Sequence, residues 1–142
     1  MRDALLACGL TLAALFIAPS AHATTDLGCD AGTIKGAYAL SATGFQGTAP
    51  DFLPVAVVRI AFFDGVSKFR GDGWASVGGD PQRFSSDGTY KVAKNCTVTM
   101  DGAITIGRVN RQFGVIADRG RKIVTTRIDE GQSVVLTYER IK

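Results

Sequence analysis

The 142-residue sequence predicts an all-β protein, a single antiparallel up-and-down barrel of about eight strands that follows an N-terminal signal peptide. Three observations predict this fold. β-branched residues and Phe recur in short runs between clusters of Gly, Asp and Asn, which is the pattern of strands separated by turns. No stretch after the N-terminal segment keeps a capped apolar period of 3.6 residues. Nearly all links between the runs are short, so sequential strands are expected to form hairpins.

The N-terminal segment predicts export. Residues 1–23 carry one Arg near the start, an apolar run at 4–18 and a small-x-small sequence that ends at Ala23, as in a cleaved signal peptide. The apolar run is shorter than the about 20 residues that a membrane-spanning helix needs, so we expect no transmembrane anchor. The expected organisation is a signal peptide at 1–23 and a barrel domain at 24–142, located in the periplasm or outside the cell.

Eight segments of the remaining chain are typical of strands. They cover residues 33–43, 55–63, 66–77, 84–92, 96–106, 107–117, 122–128 and 133–141. Residues 44–54 are the longest irregular stretch and are predicted to be a loop. Eight strands joined in this way can close into a barrel, which leaves no exposed sheet edge. A two-sheet sandwich is the alternative, and it usually needs more long links than this sequence has.

Glycines and Asp-Gly pairs fall inside and between these segments. Gly71 and Gly73 lie within the segment 66–77 and predict a bulge or a sharp bend. Asp-Gly pairs begin at Asp64, Asp72, Asp87 and Asp101. Because the spacing of known calcium motifs is absent, we interpret these pairs as turn residues and expect no bound metal.

Removal of the signal peptide limits the available chemistry. His22 is the one histidine of the sequence and leaves with the signal peptide, so His-dependent triads and His-ligated metal sites are excluded from the mature chain. Cys8 also leaves, and Cys29 and Cys96 remain. Two cysteines in an exported chain predict a disulfide rather than a redox site, since no Cys-x-x-Cys motif is present. We expect no cofactor.

Charge is distributed unevenly along the chain, whose formal net charge is +3. The positive excess lies in residues 108–142, which suggests either a weak anionic partner or a solvated face of mixed charge. No aromatic-basic motif accompanies the positive residues, so we expect no nucleic-acid partner. The oligomeric state is open.

Several motifs occur in an order that resembles a known group of proteins. They are Gly36-Ala37-Tyr38, Phe62-Phe63-Asp64-Gly65, the segment 86–92 (SDGTYKV), the segment 95–99 (NCTVT) and the segment 113–118 (FGVIAD). This order resembles that of exported, mostly uncharacterised bacterial proteins that look like eight-stranded barrels of the allene oxide cyclase or calycin type. The resemblance implies a barrel and gives no activity. Lys68 and Arg70 depart from the small polar residues that the group more often has after its Phe-Asp-Gly turn.

Five side chains are candidates to line a cavity: Tyr38, Trp74, Tyr90, Phe45 and Arg59. Small barrels can hold one small ligand, so we predict Tyr38, Trp74 and Tyr90 as ligand-binding residues. The alternative is that the aromatic rings pack the core. Alternation places Arg59 on the face of Val57 and Ala61, and on that alternative it points outward.

No catalytic constellation is evident in the mature chain. The leading hypothesis is a non-enzymatic exported barrel that binds a small apolar ligand or a surface partner. A cavity-based cyclase or isomerase is the second, because holding a reactive substrate in shape needs no histidine. A structural domain of the cell envelope is the third.

Overall fold

In a computed structural model, the chain is described over residues 25–105 and 108–142. The signal peptide expected at residues 1–23 lies outside the described residues. The elements are a 3-10 helix at Ala31–Ile34, β1 at Gly36–Thr48, β2 at Asp51–Phe63, β3 at Lys68–Val77, β4 at Asp80–Val92, β5 at Thr97–Ile104, β6 at Arg108–Ala117, a second 3-10 helix at Asp118–Gly120, β7 at Lys122–Arg127 and β8 at Gln132–Arg140. No helix among the described residues has both the length and the apolar character to cross a membrane.

The eight strands form one closed antiparallel barrel in sequence order. Each strand pairs with the next, and β1 also pairs with β8, from Tyr38 opposite Arg140 to Gln46 opposite Gln132. This last pairing joins the two edges of the sheet. The predicted up-and-down barrel is therefore confirmed, and the sandwich alternative is wrong.

The loop predicted at residues 44–54 is wrong, because β1 and β2 run through it to a short link at residues 49–50. Gly44 is typical of a loop, but a Cβ there would lie 2.0 Å from the carbonyl oxygen of Ser133. Glycine at this position lets the β8 backbone approach β1. Pro54 is typical of a strand break, yet it stays in register, and its carbonyl oxygen accepts a hydrogen bond from the Gly78 N–H at 2.9 Å.

The first strand begins later than predicted, at Gly36 instead of residue 33. Asp30 Oδ1 accepts a hydrogen bond from the Thr33 N–H at 3.0 Å, and Thr33 Oγ1 accepts one from the Asp30 N–H at 3.0 Å. This reciprocal pair is a capping box, which starts a helix. The residues before β1 therefore form a 3-10 turn.

This 3-10 turn closes one end of the barrel, which we call the capped end. Ile34 has no exposed surface. The Tyr90 hydroxyl donates to the Ala31 carbonyl oxygen at 3.2 Å, and Arg140 Nη2 donates to the Thr33 carbonyl oxygen at 2.8 Å. The opposite end, where β1–β2, β3–β4, β5–β6 and β7–β8 are linked, is called the far end.

The predicted disulfide between Cys29 and Cys96 is confirmed, with a Cα–Cα distance of 5.1 Å. It ties the segment before the 3-10 turn to the link between β4 and β5. The Leu27 N–H also donates to the Lys94 carbonyl oxygen at 2.8 Å. With 67 residues of sequence separation, the bridge stabilises the fold by about 4 kcal/mol on the chain-entropy model.

Only the Asp-Gly pair at Asp64 forms a turn among the four pairs. Asp64 Oδ1 accepts hydrogen bonds from the three backbone N–H groups of residues 66–68, at 2.8 to 2.9 Å. The other three pairs lie inside β3, β4 and β5, so their interpretation as turns is wrong. The register between β2 and β3 is continuous past Gly71 and Gly73, so no bulge is inserted there.

Candidate functional site

A belt of polar side chains crosses the middle of the barrel interior. None of its members is more than 6% exposed, although an antiparallel barrel of this size is expected to bury mainly apolar groups. The polar belt consists of Arg59 on β2, Ser86 on β4, Asn110 and Gln112 on β6, Thr125 on β7 and Tyr138 on β8. Because five strands contribute, closure of the barrel is what brings these residues together.

Arg59 donates to two hydroxyl groups of the belt. Its Nη1 donates to Ser86 Oγ, and its Nη2 donates to the Tyr138 hydroxyl at 3.2 Å. The guanidinium carbon also lies 6.0 Å from the ring centre of Phe69 and 5.9 Å from that of Tyr138. These rings supply weak cation–π attraction. The partners of this guanidinium are therefore all neutral.

Gln112 connects the rest of the belt. Its Oε1 accepts from the Tyr138 hydroxyl at 2.8 Å and from Thr125 Oγ1 at 2.7 Å, and its Nε2 donates to Asn110 Oδ1 at 2.9 Å. Gln112 has no exposed surface, so these bonds replace those it would make with water. The connected network holds the Tyr138 hydroxyl in place beside Arg59.

A second arginine, Arg127 near the far end, is also shielded from solvent and can be compared with Arg59. Its side chain is 12% exposed, and its Nη2 lies 3.2 Å from Asp129 Oδ2. Burial would raise the pKa of Asp129, but hydrogen bonds from Arg111 and Arg127 outweigh it and lower that pKa. Arg127 therefore has a carboxylate partner.

Arg59 has no such partner. No carboxylate of residues 25–105 or 108–142 forms an ion pair with it. The buried Nε–H groups of both arginines make no hydrogen bond, so the counter-charge is what distinguishes them. Arginine stays charged in proteins. A buried charge without a counter-charge is costly, because hydroxyl dipoles replace only part of its hydration. The belt therefore presents one uncompensated positive charge inside the barrel.

Inward-facing glycines make room for the large side chains of this region. A Cβ on Gly73 would lie 2.3 Å from the Cβ of Arg59. A Cβ on Gly88 or Gly102 would lie within 3.0 Å of the Phe69 ring. The glycines that the sequence analysis assigned to turns and a bulge thus allow Arg59 and Phe69 to lie across the interior.

Tyr38 and Tyr90, two predicted ligand-binding residues, lie together near the capped end. Both pack edge-on against Phe63, with ring centres 5.4 Å and 5.2 Å away. Burial raises the pKa of Tyr38, although the neighbouring Arg140 guanidinium offsets part of the rise. Burial raises the pKa of Tyr90 to about 12, and the Asp64 carboxylate adds to the rise.

Trp74, the third predicted residue, lies on the outer surface and is 54% exposed. The other cavity candidate on the outer surface is Phe45, which is 53% exposed. The structure therefore brings Tyr38 and Tyr90 together and does not bring Trp74 to them.

Of the two interpretations of Arg59, the one in which it points outward is wrong, because Arg59 is 6% exposed and faces the interior. Alternation along β2 was correct, but the larger apolar set is the outer one, with Val58 63% exposed and Ile60 46% exposed, while Ala61 is buried beside Arg59. Size and apolarity therefore indicate the wrong inner face for this strand. The sequence contained one correct indication of the inner face. Phe63, which begins the motif Phe-Asp-Gly, lies at an odd-numbered position of β2, as Arg59 does, so both lie on the same face.

Sequence reasoning also missed the belt residues on β6 and β7. Asn110, Gln112 and Thr125 are polar residues at inward positions, and nothing in their local sequence distinguishes them from outward ones.

Among the described residues, no group of three or more His, Cys, Asp or Glu side chains could hold a metal ion.

Comparison with known proteins gives no relative that carries information about this site. No family model matches the chain, and neither a curated protein nor a solved structure matches it significantly. The resemblance to exported bacterial barrels stays a prediction.

Proposed function

We propose that this protein is an exported, non-enzymatic barrel that binds a small apolar ligand in the half of its interior between the polar belt and the far end. The observation that carries the proposal is the small size of the inward side chains there. Toward the far end, β1 contributes Ala42 and β3 contributes Ala75, on either side of Val57 of β2. Alanine side chains fill less of the interior than larger buried residues such as Leu40 and Phe69.

The remaining walls of this half suit an apolar molecule. Phe84, Val55 and Val134 are buried there. Val57 and Ala75, which pair across β2 and β3, are half-buried although they face inward. Inward side chains that keep part of their surface exposed support access for a ligand from the far end.

The capped end is a poor place for the same ligand. Ile34, Tyr38 and Tyr90 are packed with at most 2% of their surface exposed, and the 3-10 turn covers them. We therefore assign Tyr38 and Tyr90 to packing beneath the site rather than to direct contact with the ligand.

The test uses the neutral fluorophore N-phenyl-1-naphthylamine, displaced by decan-1-ol. Wild-type protein should enhance the fluorescence, and decan-1-ol should reverse the enhancement. Ala75→Leu places bulk inside the barrel and should weaken fluorophore binding at least about tenfold, or about 1.4 kcal/mol. Ser76→Leu, at the next position on the opposite face of β3, is the matched control and should bind as the wild type does.

Both variants must first show cooperative thermal unfolding. No binding by the wild type, or equal binding by both variants, contradicts a site inside the barrel. Native mass spectrometry of protein purified from its own host should in addition show a retained small molecule.

A further inference from the structure

The outer surface of β2 carries an uninterrupted apolar stripe. It consists of five exposed side chains: Pro54, Ala56, Val58, Ile60 and Phe62. The solvated face of an antiparallel sheet is ordinarily polar, so a whole strand of apolar outward positions is unusual. On β6, at the opposite side of the barrel, Arg111 interrupts the apolar outward positions between Val109 and Phe113.

We infer that two copies of this protein associate through the β2 stripe as a two-fold symmetric dimer. The surface involved, which we call the apolar face, combines the stripe with Phe45 on β1, Trp74 on β3 and Val135 on β8. The inference goes beyond the proposed function and is independent of it, because the apolar face lies outside the barrel and the proposed ligand site lies inside.

The area of the apolar face is the first argument. Five of its large side chains are 46–63% exposed: Phe45, Val58, Ile60, Trp74 and Val135. With full areas of about 150–250 Å² for aromatic side chains and somewhat less for Val and Ile, they present roughly 500 Å² to solvent. This is near the upper limit for the largest apolar patch of a typical monomer. A second copy that covers them would bury about 1,000 Å² in total, the area that a stable interface exceeds, before the small residues between them are counted.

The shape of the apolar face is the second argument. Val58 lies between Trp74 of β3 and Ser41 of β1. The outward residues of β1 are small there, namely Ala39, Ser41 and Thr43, and open grooves run along them. A two-fold axis along β2 places β3 of one copy over β1 of the other, so each Trp74 ring fills the groove over the partner's Ser41. The two contacts are identical, as a two-fold interface requires.

The charges around the apolar face favour a second copy over a lipid surface. Asp72 and Glu139 lie in the same row as Ile60, while Arg70 and Arg83 lie in the neighbouring rows. A surface that binds anionic lipid is bordered mainly by basic residues, whereas this one carries both signs. The same two-fold axis brings β4, which carries Arg83, over the partner's β8, which carries Glu139. Opposite charges therefore approach each other at the rim of the dimer.

The experiment measures self-association by sedimentation velocity at protein concentrations of about 0.1–100 µM. The wild type should form a dimer as the concentration rises. Val58→Glu places a charge at the centre of the interface and should raise the dissociation constant of the dimer at least about hundredfold. Val109→Glu is the matched control, because Val109 on β6 is 58% exposed against 63% for Val58. It should dimerise as the wild type does.

A second pair of variants tests the groove without changing the stripe. Ser41→Arg fills the groove on β1 and should raise the dissociation constant at least about tenfold. Thr99→Arg adds the same side chain at an exposed outward position of β5 and should leave dimerisation unchanged. All four substitutions are at exposed positions, so each variant should keep the cooperative thermal unfolding of the wild type.

Trp74 reports on the interface directly, because it is the one tryptophan of the sequence. As the concentration rises, its fluorescence emission should move to shorter wavelength in the wild type and in Val109→Glu, since the ring leaves water. In Val58→Glu the emission should stay at the wavelength of a water-exposed indole.

Several outcomes would overturn the inference. A wild type that stays monomeric up to about 100 µM does so, and binding of that monomer to phosphatidylglycerol vesicles would assign the apolar face to lipid instead. A trimer or an open polymer overturns the two-fold arrangement. Equal dissociation constants for Val58→Glu and Val109→Glu overturn the assignment to the β2 stripe. The ligand site is tested separately, by fluorophore binding to Ala75→Leu.

Discussion

The capped end of this barrel and the rest of its interior differ in the side chains that fill them. At the capped end, Tyr38 and Tyr90 pack edge-on against Phe63, a 3-10 turn covers them, and a disulfide fixes the turn. In the middle and toward the far end, small inward residues adjoin a buried cation that has no counter-charge. We expect the aromatic packing and the disulfide of the capped end to supply the stability that offsets the cost of burying the charge of Arg59.

The largest effect is expected from Phe63→Ala, which removes the ring at the centre of the aromatic packing. Phe63 lies 5.2 to 6.0 Å, ring centre to ring centre, from Tyr38, Phe69, Tyr90 and Tyr138. Its removal should lower the free energy of unfolding by about 3–5 kcal/mol, because a large cavity is left in a packed core. Urea denaturation measures this loss.

The matched control is Phe62→Ala, one residue away on the outer face. Phe62 is 42% exposed, and the guanidinium carbon of Arg70 lies 5.6 Å from its ring centre. Its removal should cost less than about 1 kcal/mol. Equal losses for the two variants would contradict the inward and outward assignment of β2.

Removal of the disulfide comes second. Cys29→Ser combined with Cys96→Ser should lower the free energy of unfolding by about 2–4 kcal/mol, since the unfolded chain regains the freedom that the bridge removes. Chemical denaturation of the oxidised wild type, the reduced wild type and the double variant measures it. The reduced wild type should match the double variant. If neither loses free energy of unfolding, the bridge does not stabilise the capped end.

Substitution of each shielded arginine should change the free energy of unfolding by a smaller amount, and the two changes should have opposite signs. Arg59→Met should leave the free energy of unfolding unchanged or raise it by about 1 kcal/mol, because it replaces an uncompensated buried charge by an apolar chain. Arg127→Met should lower it by about 1 kcal/mol, because it takes a partner from Asp129. A large loss in Arg59→Met would indicate a structural role for Arg59.

The smallest effect is expected at alkaline pH. Burial raises the pKa of Tyr90 to about 12 from an ordinary value of 10.0. Since the folded-state pKa lies above the unfolded one, the contribution of Tyr90 to stability is complete below pH 10 and is lost as the pH rises toward about 12. Tyr90→Phe should therefore show a shallower loss of stability across this range.

Denaturation midpoints measured at several pH values between 9 and 12 for Tyr90→Phe and the wild type give this comparison. Absorbance titration of tyrosinate in both proteins identifies the late-ionising group. Identical pH profiles would contradict the burial of Tyr90 against the 3-10 turn.

The sequence was informative where one residue determines local structure. The short links predicted the barrel, because hairpins join neighbours in the chain. The disulfide joins residues that are 67 apart, and it was predictable because two cysteines remain after the expected signal peptide. Gly44 and Pro54 misled the prediction, since their places in β1 and β2 depend on the approach of β8 and on a carbonyl bond to Gly78.

The candidate site was largely hidden from sequence reasoning for a related physical reason. The polar belt joins five strands that are distant in sequence, and Arg59 meets Ser86 and Tyr138 only when the barrel closes. Glycines at 73, 88 and 102 indicate close packing but do not name the side chain that fills the space.

The most direct test of a ligand site inside the barrel compares N-phenyl-1-naphthylamine binding by Ala75→Leu and Ser76→Leu, which change neighbouring positions on opposite faces of β3. The wild type and Ser76→Leu should enhance the fluorescence equally, and Ala75→Leu should bind at least about tenfold more weakly. Equal binding by the two variants, or no binding by the wild type, would contradict a site inside the barrel.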